Sequence, residues 1–232
     1  MFWYKGWLET RLRLWIAFGW IGLLLTSVAL RTVAPQPGRN PVFGLALMMG
    51  SFVTTMCAWF AGAGIASQGS FQFLKGLHGS TQYTLSLPVS RLRLLAIRAT
   101  LGWMEMAIVI GMFCGGVRLV APLLTAGATA VGMFQYAVTL IVCASALYFF
   151  SVLLATFFDD QWRCWATMIF CVATWGLPYI VMVPEYADIF RAMGEGSPLV
   201  KHGMPWPVMA FSVGLAAMCF FAALKVAQSR EY

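Results

Sequence analysis

Glu105 is the one acidic residue deep inside a long apolar run, which makes it the first candidate for chemistry. It lies 11 residues past Leu94, about 16 Å along a helix and so near the middle of a bilayer. A carboxylate there is expensive, must face protein or water, and is read as functional by default. Three roles are open to it: a hydrogen bond to another helix, a place on the path of a transported molecule, or a proton relay. Arg98, the nearest basic residue in sequence, is seven positions away, too far along a helix for a good direct pair.

The other reactive side chains are scattered. Asp159 and Asp160 are adjacent, so on a helix they do not share a face, and they read as the solvated end of a span. His78 and His202 are far apart, and His202 reads as a surface histidine. An enzyme working at a membrane surface would need His, Asp or Glu gathered in one place, which two distant histidines and one Asp pair do not supply. Cys57, Cys114, Cys143, Cys164, Cys171 and Cys219 all fall in apolar runs without a CxxC pair, so they read as packing residues rather than disulfides or metal ligands. No Gly-x-x-x-x-Gly-Lys-Ser/Thr loop is present to cradle phosphates, and no polar stretch is long enough for a nucleotide domain.

The elements that position these residues follow from composition. Of the 232 residues, 61% are hydrophobic and 10% charged, against about a quarter charged in soluble domains. The chain reads as an all-α integral membrane protein with one transmembrane domain over 1–232. Its six predicted spans are 14–30, 42–67, 94–117, 133–158, 164–183 and 204–227. Leu123–Phe158 is too long for one upright span, so an irregular or interfacial start is expected around Thr125–Gly132. Gly176 and Pro178 suggest a kink in the fifth span, and Pro205 and Pro207 open the sixth. Residues 1–13 interleave Trp3, Trp7, Leu8 and Leu12 with charges. They read either as an amphipathic helix in the headgroup region or as an extension of the first span. No cleavage site follows the first apolar run, which is therefore expected to stay as a membrane helix.

Charge sets the expected orientation. The net charge of +7 is spread over short loops rather than gathered in one patch, which fits a lipid surface and not nucleic acid. One side of the six-span arrangement collects ten basic residues, including Lys75, Arg91, Arg93, Arg98 and Lys225. The other collects five, Arg31, Arg39, Arg118, Arg191 and Lys201. This bias places both termini and the connector 68–93 in the cytoplasm, with the chain in the cell (inner) membrane. In the outer loop 184–203, Pro184 marks a helix start and Tyr186, Ile189, Phe190 and Met193 repeat at helical spacing up to Gly194 and Gly196. Three readings are open: a short helix on the outer surface, a cap over an outer vestibule, or a plain structured loop.

Two stretches carry a resemblance. YKGWLETRLRLW, before the first span, is similar to the amphipathic elbow helix of the membrane subunits of ATP-binding-cassette exporters of the type-2 permease family. GSTQYTLSLPVSRLRLL resembles that family's cytoplasmic connector, a short coupling helix followed by Leu-Pro-Val-Ser-Arg and the third span. Six spans with a short outer helix before the last also fit. The resemblance implies a permease subunit that is not itself an enzyme and binds no cofactor. ATP and Mg would sit on a dimer of separate ATPase subunits docked on the connector. A second permease copy, identical or not, would complete the path across the lipid.

The resemblance also assigns roles. The ATPase-docking surface would be Phe71, Phe73, Leu74, Leu77, His78, Gly79, Ser80, Thr81 and Tyr83, where bulky apolar and short polar residues suit a partner's groove. The alternative is a helix lying on the lipid through Phe71, Phe73 and Leu74. Pro88 would form a rigid corner, because it cannot continue a helix and restricts Leu87. Arg91 and Arg93 would clamp the next helix at the headgroups. Family members often carry an acidic residue before the Gly-Ser/Thr step, whereas Lys75 and His78 stand here, so docking would rest on different pairs. A membrane-embedded enzyme and an ion-coupled secondary transporter are the competing classes. The absence of an internal repeat and the single buried acid weigh against the second. Abundant aromatics and Met suit an apolar or amphipathic cargo, but they equally fill a lipid-facing surface.

Overall fold

The computed structural model describes residues 15, 18–19, 21–23, 25–26, 50–59, 61–62, 91–120, 129–157, 165–166, 169–170, 172–173, 183–201 and 203–229. Every regular element among them is a helix. Five are continuous: α1 (Arg91–Val120), α2 (Ala130–Phe157), α3 (Ile189–Met193), α4 (Pro198–Lys201) and α5 (Trp206–Ser229). The described positions in 15–26, 50–62 and 165–173 are helical as well. Three helices are long and apolar enough to cross a membrane, over Leu95–Leu119, Ala130–Phe157 and Trp206–Ser229. In lipid every backbone N–H and C=O must be satisfied within the segment, so long apolar runs have no alternative to helix.

The helix ends differ from the sequence expectation where a local group decides them. α1 already includes Arg91–Arg93, so the basic residues form its first described turn rather than a lead-in. Arg118, one residue past the predicted span, lies in its last turn, where its cation complements the orphan carbonyls of the helix C-terminus. α2 is helical from Ala130, so 130–132 are not irregular. Thr129 caps them: the Gly132 N–H donates to the Thr129 hydroxyl at 3.1 Å and the Met133 N–H to its carbonyl at 3.1 Å. Pro205 and Pro207 bracket the first residue of α5, where missing N–H groups cost nothing. The Met209 N–H closes the first turn on the Pro205 carbonyl at 3.0 Å.

The outer-loop helix does not begin at Pro184. Residues 185–187 form a turn closed by the Ala187 N–H on the Pro184 carbonyl, and α3 starts only after Asp188. Asp188 is the N-cap, accepting from the Arg191 N–H at 2.9 Å. Gly194 donates to the Phe190 and Arg191 carbonyls and ends the helix. Gly196 crosses so close to Arg191 that a Cβ there would stand 3.0 Å from the Arg191 carbonyl oxygen. A second short helix, α4, follows and was not expected. Ile189, Ala192 and Met193 are buried, so α3 packs its apolar face into the bundle. Tyr186, assigned to that face, is 58% exposed and rests edge-on against Phe211.

α2 is the spine of the bundle. Its buried residues run from Met133 to Ala155, and it packs against α1, α3, α4 and α5. Contacts fix the directions. Tyr148 meets Ala99 and Ser145 meets Trp103, so α1 runs antiparallel to α2. Gly50 meets Tyr136 and Trp59 meets Ser151, so 50–62 runs parallel to it. Cys143 lies beside Ser212 and Phe149 against Phe220, so α5 is parallel as well. Leu199 of α4 approaches Gly132, which puts α3 and α4 over the starting end of α2. Lipid tails are as apolar as Leu, so burial from water does not hold these helices together. Close packing and cross-helix hydrogen bonds, about 0.6 kcal/mol each and rarely above ~1.7, do.

Candidate functional site

The sequence candidates divide sharply by place. Phe71, Phe73, Leu74, Leu77, His78, Gly79, Ser80, Thr81, Tyr83 and Pro88 lie outside the described residues, as do the elbow 1–13, His202, Asp159 and Asp160. Arg91, Arg93 and Glu105 all fall on α1. The described part of the site is therefore the pair of helices flanking 63–90, which are 50–62 on one side and α1 on the other.

Arg93 stands exposed in the first described turn of α1, and no acidic residue shares that turn.

Two turns further in, α2 reaches sideways to both flanking helices. The Tyr148 hydroxyl donates to the Ala99 carbonyl of α1 at 2.8 Å. The Trp103 indole N–H donates to the Ser145 hydroxyl at 2.7 Å, which itself donates to the Ile141 carbonyl at 2.7 Å. The Ser151 hydroxyl donates to the Trp59 carbonyl at 2.9 Å. Ser145, Tyr148 and Ser151 are three residues apart, so they fan over one broad face of α2 and meet two different helices. Gly62 makes this approach possible. A Cβ there would stand 2.6 Å from the Tyr148 carbonyl oxygen and 2.7 Å from Ser151 Cβ. Ala58 is fully buried beside it. Small residues here let two backbones come close. Gly111 and Gly115 of α1, also four apart, have nothing within 4 Å of an added Cβ among the described residues.

Glu105 stands at the middle of α1 and is half-buried, with Oε1 enclosed by protein. On the helical wheel it shares a flank with Gly116, which Leu25 packs against, while Trp103 lies on the opposite flank toward α2. Glu105 therefore lies away from the flank of α1 that carries the Trp103–Ser145 bond. Near the other end of α2, the hydroxyl of Tyr136 presses against Gly50 and makes no hydrogen bond among the described residues. The same holds for Thr54, one turn along. At the α3–α4 cap, the Arg191 guanidinium pairs with the Glu185 carboxylate at 2.8 Å.

Ser145, Tyr148 and Ser151 were not singled out by sequence reading. Their signal is polar residues three apart inside an otherwise apolar 28-residue helix. Cys114, Cys143 and Cys219 are buried and Cys57 half-buried, all on packed helix faces. No group of three His, Cys, Asp or Glu that could hold a metal occurs among the described residues. Comparison with protein-family models, curated proteins and solved structures found no match to this chain.

Proposed function

We propose that the chain is the membrane-spanning subunit of an ATP-driven exporter of the type-2 ATP-binding-cassette permease kind. A separate ATPase would dock on 68–93, and a second permease copy would complete the translocation path. The observation that carries the reading is the junction at Arg91. The Leu-Pro-Val-Ser-Arg segment leads directly into a 30-residue helix whose first described turn already holds both arginines. A force applied to the connector would thus enter the membrane through the helix that begins its described course at Arg91. A helix about 45 Å long transmits displacement end to end.

Helix directions support six crossings. α2 and α5 run parallel, so the chain must come back across between Phe157 and Trp206. Helical residues in 165–173 lie on that return, with the Phe170 ring against Phe150. The segments 15–26 and 50–62 supply the other two crossings, beside α1, α2 and α5. On this reading both ends of the chain share a side with Arg91, the side expected to be cytoplasmic, and residues 1–13 form the elbow helix at its surface. ATP and Mg belong to the partner ATPase.

Co-purification from native membranes tests it. The expected result is a complex of two ATPase subunits with two permease chains. A chain that purifies and functions alone overturns the reading.

A further inference from the structure

Both helices that flank the connector are tied to the same third helix at the same depth. Ala99 lies eight residues beyond Arg91, about 12 Å into α1, and Trp59 lies three residues before Gly62. Tyr148 holds the first and Ser151 the second. Each acceptor is a backbone carbonyl, so the acceptor side has no rotamer slack and any shift of the helix axis pulls on α2. Ala99 and Trp59 are 0% and 1% exposed, which leaves no water to compete for either carbonyl. The close approach of Gly62 to the Tyr148 carbonyl and the Ser151 side chain leaves no room for even a Cβ there.

We propose that Tyr148 and Ser151 are positioning residues that clamp both arms of the connector to α2, so that 50–62, α1 and α2 move as one body when the connector is displaced. The proposal rests on reading 68–93 as the docking segment. It assigns the moving parts: the three clamped helices shift together, and the conformational change falls on their contacts with the rest of the assembly. Ser145 reinforces the α1 side through Trp103.

Pulsed electron resonance on spin-labelled protein in lipid nanodiscs tests this. Labels go at Thr100 on α1, Phe52 on 50–62 and Thr156 on α2. The complex with its co-purifying ATPase is compared without nucleotide and with ATP plus vanadate. The 100–156 and 52–156 distances should be the same in both states. Tyr148→Phe should make the first distance nucleotide-dependent and Ser151→Ala the second. The separated population should rise about threefold for each bond lost. Distances that change in the otherwise unaltered protein overturn the clamp, as do variants that only lower the unfolding midpoint while both distances stay fixed. If no ATPase co-purifies, the docking reading fails by itself. The same label pairs in the isolated chain then decide the clamp: broadened distances in the variants support it, and unchanged widths overturn it.

Discussion

Gly62→Ala is the most informative single substitution. The added Cβ would lie 2.6 Å from the Tyr148 carbonyl oxygen and 2.7 Å from Ser151 Cβ. One is backbone and the other is fixed to backbone, so no side chain can rotate away. Reaching ordinary contact near 3.4 Å requires 50–62 and α2 to separate by about 0.8 Å. Overpacking of this kind costs about 1–3 kcal/mol. The same movement stretches the 2.9 Å bond from Ser151 to the Trp59 carbonyl, worth about 0.6 kcal/mol more. Alanine is the better helix former by about 0.8–1 kcal/mol, which offsets part of the loss. The net expectation is destabilisation of about 1–2.5 kcal/mol, or a midpoint lowered by roughly 2–10 °C for a chain of this size. Gly111→Ala is the control, because among the described residues nothing lies within 4 Å of its added Cβ, so the change is chiefly in helix propensity. Thermal unfolding in nanodiscs, followed by tryptophan fluorescence, compares the two. Equal midpoints for Gly62→Ala and the unaltered protein would refute close approach at Gly62, and with it the geometry that seats the Ser151 bond.

Tyr136→Phe should be neutral or stabilising by up to ~1 kcal/mol, because its buried hydroxyl makes no hydrogen bond among the described residues; a loss above that size in the same unfolding assay would reveal a partner. Asp188→Ala removes the cap of α3 and should cost about 1 kcal/mol locally, read as faster hydrogen exchange at Ala192 and Met193 with exchange in α2 unchanged. Charge reversal across Leu77–Thr81 should leave membrane insertion intact and uncouple ATP hydrolysis from transport; unaltered ATPase binding and transport would place docking elsewhere. Glu105→Gln should preserve assembly and lower transport if the carboxylate touches cargo, while unchanged transport removes it from the path.

How far the chain could be read in advance depended on which physical force decided each feature. The existence and approximate limits of α1, α2 and α5 are legible from apolar length alone, since lipid permits no unsatisfied backbone. Their ends are less legible. Arg91–Arg93 fall in the predicted connector and Arg118 just past the predicted span, yet the helix continues through all of them. α3 was placed several residues early, since Pro184 suits a turn as well as a helix start and the Asp188 cap outranked it.

What sequence by itself determined is the class of molecule: an apolar, helical chain with basic residues at the helix margins and one acid at mid-span. Tertiary structure alone decided which faces meet. Helices apolar all round carry no stripe that points inward, because lipid and protein interior are equally apolar to a leucine. The partners are chosen instead by shape and by rare polar atoms: Gly62 against α2, Gly50 under Tyr136, and Ser145, Tyr148 and Ser151 reaching for carbonyls and an indole. Those pairings join residues 42 to 92 positions apart, a separation that local periodicity does not record.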